Sequence, residues 1–201
     1  MRKSFILAVF GIVALLLLCS CSPRDFLTRR LAADLIADSE PFRNPQQFQL
    51  RTGVVSNDDS RSPEYLVLQH RGWISATKAV CPPAMVPPPC WQMTLTPSGV
   101  DTVQNLVSPG DAEKPTFNIP GAKRELVAVS GISKQGNAAD VEFTWKWNPL
   151  NEIGSVIYPP DFTYRSIASF RRYDDGWRVA LGTTLHGQPL DDALKNAEPL
   201  Q

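Results

Sequence analysis

The side chains whose types could support chemistry are few: four cysteines, two histidines, scattered carboxylates and five tryptophans in 201 residues. His70 and His186 stand far apart and no His-Glu-x-x-His spacing occurs, so a zinc site would have to recruit extra Asp or Glu ligands. Neither a metal nor any other cofactor is expected. Gly-x-Ser-x-Gly, the phosphate-cradling Gly-x-x-x-x-Gly-Lys and the Rossmann glycine set are all missing, which removes sequence support for hydrolase, nucleotide and hydride chemistry. Asp174 and Asp175 adjoin Gly176 in a turn-like stretch. Neighbouring carboxylates there point apart into water, whereas paired acids must flank a substrate bond. No catalytic residue is assigned, and the chain is not expected to be an enzyme.

Trp145 and Trp147 share a strand face with Phe143, because Asp140–Trp147 (DVEFTWKW) alternates strictly between apolar and polar residues. Such a row either stacks on a sugar or peptide or packs beneath a helix. Packing fits better, since the other face of that strand is already polar.

At the amino end, Met1–Ser4 is basic, Phe5–Leu18 is an apolar run of 14 residues, and small residues follow. This is the layout of a secretory signal, and 14 residues fall short of the roughly 20 that a permanent span requires. The alternative, an uncleaved anchor, fits that length poorly. The stretch Leu18-Cys19-Ser20-Cys21 resembles the lipobox of bacterial lipoproteins, with Leu three residues before the modified Cys and a small residue directly before it. Cys21 fits this pattern. Cys19 does not, because Leu18 precedes it, and Cys19 itself departs from the Ala, Ser or Thr usual at the middle position.

The resemblance implies that residues 1–20 are a lipoprotein signal peptide cleaved after Ser20, and that Cys21 carries a diacylglycerol thioether. It also implies an acyl chain, such as palmitate, on the new amino group. Two or more chains attach a protein firmly to a membrane without any span. Ser22 after the Cys resembles the outer-membrane sorting class, on the periplasmic or surface side, if the cell has two membranes. Removal of Arg2 and Lys3 with the leader takes the 20 basic residues to 18 against 20 acidic ones. A mature charge of −2 gives no electrostatic case for nucleic acid.

Export places the remaining cysteines, Cys81 and Cys90, in a compartment where disulfides persist, and they are expected to pair. Eight residues intervene, so they are not a Cys-x-x-Cys redox pair. Their flanks, WISATKAV and WQMTLT, are rich in strand formers, and placing the two cysteines opposite each other pairs Val80 with Trp91, Lys78 with Met93 and Ala76 with Leu95. The loop tip Ala84-Met85-Val86 either touches a partner or lipid or folds back on its own domain.

Around this hairpin, Ser22-Pro23 is expected to open an amphipathic helix that ends at Glu40-Pro41, with Phe26, Leu27, Leu31, Leu35 and Ile36 on its apolar side. It packs on the domain or lies on the membrane. Its balanced charges favour the domain. QFQLRTGVV reads as one strand, Ser62-Pro63 and Thr96-Pro97 as helix starts, and Asp174-Asp175-Gly176 as a hairpin turn. The order helix, Gly-Trp-Ile, hairpin, then LTPSG entering a helix resembles the wing region of winged-helix domains over about 45 residues, without the DNA-binding function. Arg124–Ile132, Asp140–Trp147, YRSIASFRRY and WRVALG suggest a four-stranded antiparallel meander. Pro159-Pro160 reads as excluding regular structure from the connection NPLNEIGSVIYPPDF, and PLDDALKNAEPLQ as one or two turns of helix.

The expectation is an α+β protein with a helical and hairpin part over 21–110 and an antiparallel sheet over 111–201. It is a lipid-anchored envelope lipoprotein that binds an envelope protein or glycan without catalysis. The alternatives are a small envelope enzyme acting on glycan or peptide, and a carbohydrate-binding module using exposed tryptophans.

Overall fold

The computed structural model describes residues 26–83, 88–107, 115–181 and 187–200; Cys21, Met85, His186 and the Ser22-Pro23 helix start lie outside them. Helix α1, Arg29–Ala37, begins at Thr28, whose hydroxyl accepts the Leu31 N–H at 3.1 Å, and it closes on Asp38. It is therefore shorter than the expected helix at both ends. Ala32 and Ile36 are buried, while Phe26 ahead of the cap is 59% exposed. Pro41 does not merely end that helix. It occupies the first turn of a separate one, α2, Glu40–Arg43, where a missing N–H is harmless.

The stretch expected as one strand is two, β1 (Gln46–Arg51) and β2 (Gly53–Ser56), and they belong to different sheets. Gly53, at φ 88°, supplies the left-handed backbone between them. The polar stretch after β2 forms a helical turn, α3 (Asn57–Ser60), because Ser56 accepts the Asp59 N–H at 3.1 Å. Helix α4 is Pro63–His70, strands β3 and β4 are Ile74–Ala79 and Cys90–Leu95, and α5 is Pro97–Gln104, capped by Thr96. Both proline-led helix starts thus lie where the sequence places them.

The hairpin register differs from the expected one. Ala79 faces Cys90, Lys78 faces Trp91, Ala76 faces Met93 and Ile74 faces Leu95. This is a two-residue slip, caused by Cys81 lying past the end of β3 and not opposite its partner; the disulfide joins the two across a Cα separation of 5.2 Å. An even slip keeps every side chain on its face, so Ile74 and Met93 are still buried. Val80 leaves the strand and is 90% exposed. β4 also pairs with β2, so the hairpin is part of a three-stranded sheet, β2-β4-β3.

The larger sheet has six strands, not four. The meander β5 (Thr116–Gln135), β6 (Ala138–Pro149), β7 (Thr163–Tyr173) and β8 (Gly176–Val179) is extended by β1 along the first part of β5 and by β9, Glu198–Leu200, along β7. Two short helices complete the fold, α6 (Glu152–Ile157) and α7 (Leu190–Lys195). α6 lies within the connection expected to lack structure: Asn151 accepts the Gly154 N–H at 2.8 Å, and the helix stops before Pro159. Two apolar cores result. One joins α1, α2 and α7 to β6, β7 and β8. The other joins the small sheet, α4 and α5 to β1, the start of β5 and Ile153 of α6. Segments from both sides of residue 110 therefore contribute to each core. Among the described residues, no helix is long and apolar enough to cross a membrane.

Candidate binding cleft

The strand pattern decides what is available for chemistry. On β6, Val141, Phe143 and Trp145 are buried, and Glu142, Thr144 and Lys146 face the other side of the sheet. On that outer side Lys146 meets Glu125 at 3.5 Å, and Arg165 meets Glu142 at 3.1 Å and Glu198 at 3.8 Å. These paired charges neutralise one another in solvent.

Arg124 breaks the rule. It faces Trp147 across the β5–β6 ladder, so it shares the inner, aromatic side of the sheet. Its guanidinium carbon lies 4.6 Å from the Trp147 ring centre and 5.5 Å from that of Trp145. Trp145 in turn stacks on Tyr164 at 4.7 Å, and Trp147 meets Tyr158 at 4.8 Å. The aromatic floor supplies cation–π attraction, and it also takes water away from the charge. Burial lowers the Arg124 pKa below the usual guanidinium range, an effect that nearby Tyr158 and Asp191 oppose. The same burial raises Tyr158 above 10.0, with Glu64 adding to the shift and Arg124 opposing it.

Two neutral oxygens hold the guanidinium. Nη1 donates to the Pro41 carbonyl at 3.1 Å and Nη2 to Gln46 Oε1 at 3.1 Å. The Pro41 carbonyl is free for this role because the residue four positions on, Pro45, has no N–H to close a helical bond. Nε–H is buried and is the one such side-chain atom among the described residues without a hydrogen-bond partner. No carboxylate among the described residues forms a salt bridge with Arg124.

This cation lines a cleft of about 620 Å³, together with Glu40, Pro41, Asn44 and Pro45 and with Asp191, Leu194 and Lys195 of α7. That volume is in the range of small-ligand sites, about 300–1,000 Å³. Glu40 and Asp191 are exposed, and Lys195 pairs with Asp192 at 3.6 Å. Among the described residues, no Ser, Thr, Cys or His nucleophile lines the cleft. What the arrangement offers is a fixed planar donor, two acidic groups and an apolar lip, which suits recognition of a small polar ligand.

The residues singled out from sequence fall elsewhere. Cys81 and Cys90 are bonded to each other. Trp145 is 2% exposed and donates through Nε1 to Ser166 Oγ at 3.0 Å; Trp147 is half-buried beneath Arg124. Of the five tryptophans none is exposed. His70 is exposed at the end of α4, and Asp175 pairs with Arg178 within its hairpin. Among the described residues, no group of three or more His, Cys, Asp or Glu could hold a metal ion. Cys21, Met85 and His186 are outside the described residues. Arg124 escapes a reading of the sequence for motifs, although it leaves a signal: in Ala122–Leu126 the inward parity runs Ala, Arg, Leu, which puts a charge where apolar residues belong. Compared with protein-family models, with curated proteins and with solved structures, the chain matches none.

Proposed function

We propose that this chain is a lipid-anchored lipoprotein of the cell envelope whose folded part is a non-enzymatic binding module, tethered through Cys21. The observation that carries this reading is the Cys81–Cys90 disulfide. Such bonds persist outside the cytoplasm and are rare within it, so the bond and the leader-like first 20 residues lead to the same address by separate routes. Binding fits the body of the protein better than catalysis, because the cleft combines a neutrally held Arg124 with exposed acids and, among the described residues, no nucleophile. Expression of the precursor in a bacterium that processes lipoproteins tests the proposal. Wild type and Cys19→Ser partition with membranes and need detergent for release, whereas Cys21→Ser is released without detergent. Equal partitioning of Cys21→Ser and wild type would remove the anchor from the account.

A second reading, an envelope enzyme acting on glycan or peptide, draws on Glu40 and Asp191 both lining one cleft. It requires product to accumulate when the protein is incubated with isolated envelope polymer, and requires Glu40→Gln and Asp191→Asn each to stop that accumulation. Sheet-surface glycan binding receives no support, since the tryptophans are covered.

A further inference from the structure

Three unpaired charges line the cleft, each from a different element. Arg124 of β5 at the floor is held only by a backbone carbonyl and a side-chain amide oxygen, with no carboxylate in salt-bridge contact. Glu40 of α2 has the Asn44 amide at 3.4 Å and no ion pair among the described residues, and Asp191 of α7 likewise has none, because Lys195 has turned to Asp192. A guanidinium has five N–H donors in a flat fork. Two are engaged and the Nε one is buried; the two that remain, one on each terminal nitrogen, belong to a side chain that lines the cleft. A carboxylate matches that spacing. A simple anion would meet repulsion from Glu40 and Asp191. A ligand that presents an ammonium group as well would meet attraction from both, so a zwitterion satisfies the guanidinium and the two carboxylates together.

We infer that the cleft is a binding site for a short zwitterionic peptide, its carboxylate received by Arg124 and its free ammonium by Glu40 and Asp191. The inference deepens the binding reading and rests on it. The volume of about 620 Å³ accommodates about three small residues. The apolar lip of Pro41, Pro45 and Leu194 contacts the peptide backbone and side-chain methyls.

The test is calorimetric titration of the full mature protein in detergent with tri-alanine, N-acetyl-tri-alanine and tri-alanine amide. Saturable binding of the free peptide is expected, weakened about tenfold or more when either end is blocked, since each block removes one charge-assisted contact. Glu40→Gln with Asp191→Asn abolishes discrimination against the acetylated peptide while keeping discrimination against the amide. Arg124→Lys does the converse, because an ammonium cannot reproduce the fork. A urea midpoint accompanies each variant, and the blocked peptides on wild type decide the matter even if a variant fails to fold. Absence of saturable binding, or blocked peptides that bind as well as the free one, overturns the inference. That failure is separable from failure of the anchoring proposal, which is read from Cys21 and not from any ligand.

Discussion

Ser166 is the test of how the sheet is fastened to α7. It is 4% exposed, accepts the Trp145 Nε1–H at 3.0 Å and donates to the Ala193 carbonyl at 2.9 Å. Ala193 lies two residues from the end of a six-residue helix, where carbonyls run out of helical donors and need one from elsewhere. Ser166→Ala strands a buried indole N–H and a buried carbonyl together. Each orphaned group costs about 1–3 kcal/mol, so the variant should lose about 2–6 kcal/mol, equivalent to roughly 4–24 °C in Tm for a chain of this size. An exposed serine replaced by alanine would change stability by less than about 0.5 kcal/mol. Urea unfolding followed by tryptophan fluorescence measures the loss, with the midpoint falling and the slope unchanged. The double-mutant cycle sharpens it: in the Trp145→Phe background the donor is already gone, so Ser166→Ala should cost about 1–2 kcal/mol less than in wild type. A loss below about 0.5 kcal/mol, or a cycle that adds without coupling, would refute the claim that this relay joins sheet and helix.

Other consequences follow from close contacts, burial and the disulfide. A Cβ built on Gly154 would stand 1.8 Å from the Gly121 carbonyl oxygen, so Gly154→Ala should destabilise by about 1–3 kcal/mol or more, opposite in sign to the gain of nearly 1 kcal/mol that helix propensity alone would give; a raised Tm would contradict the close docking of α6 on β5. Gly99→Ala, whose Cβ would meet the Trp73 carbonyl oxygen at 1.8 Å, should behave alike at the α5 start. Burial raises the phenols of Tyr65 and Tyr158 above 10.0, the Arg51 backbone opposing the shift at Tyr65. The folded state therefore holds those protons longer than the unfolded chain, and the stabilisation is complete below pH 10 and lost as pH rises through the folded pKa values. Phenolate absorbance should show late-ionising phenol signal that is lost in Tyr65→Phe and in Tyr158→Phe, together with a urea midpoint that falls in alkali; no late signal lost in either variant would contradict it. Reduction of Cys81–Cys90 should lower stability by at most about 2.5–3 kcal/mol on the chain-entropy model, less because prolines already stiffen the reduced loop. An unchanged urea midpoint after reduction would show that the bond does not stabilise the fold.

Local signals are legible in the sequence, and pairings between distant segments are not. The alternation of Val141, Phe143 and Trp145 identifies a buried face by itself, because period two has one solution on a half-buried strand. Thr96-Pro97 and Ser62-Pro63 mark helix starts because a proline at the first helical position acts within one turn. The Cys81–Cys90 pair is readable, yet the register it suggests is off by two, since a disulfide constrains distance and not which residues face each other. The break between β1 and β2 turns on one left-handed glycine, Gly53, which the apolar pattern of QFQLRTGVV conceals. β9 is three exposed residues that become a strand only because β7 offers an edge, information that lies more than twenty residues away. The cleft is invisible for the same reason: Glu40, Arg124 and Asp191 line one cleft only once α2 packs on β5 and α7 on β7. The inward parity of Arg124 is the single trace of it that the chain carries locally.

The measurement that bears most directly on the central claim is the intact mass of the protein extracted from membranes under non-reducing conditions. The expected species is a polypeptide beginning at Cys21, heavier than its bare sequence by a diacylglycerol thioether and an acyl chain, and gaining two hydrogens when the Cys81–Cys90 bond is reduced. A full-length species that begins at Met1, carries no lipid and has free thiols at Cys81 and Cys90 would contradict it.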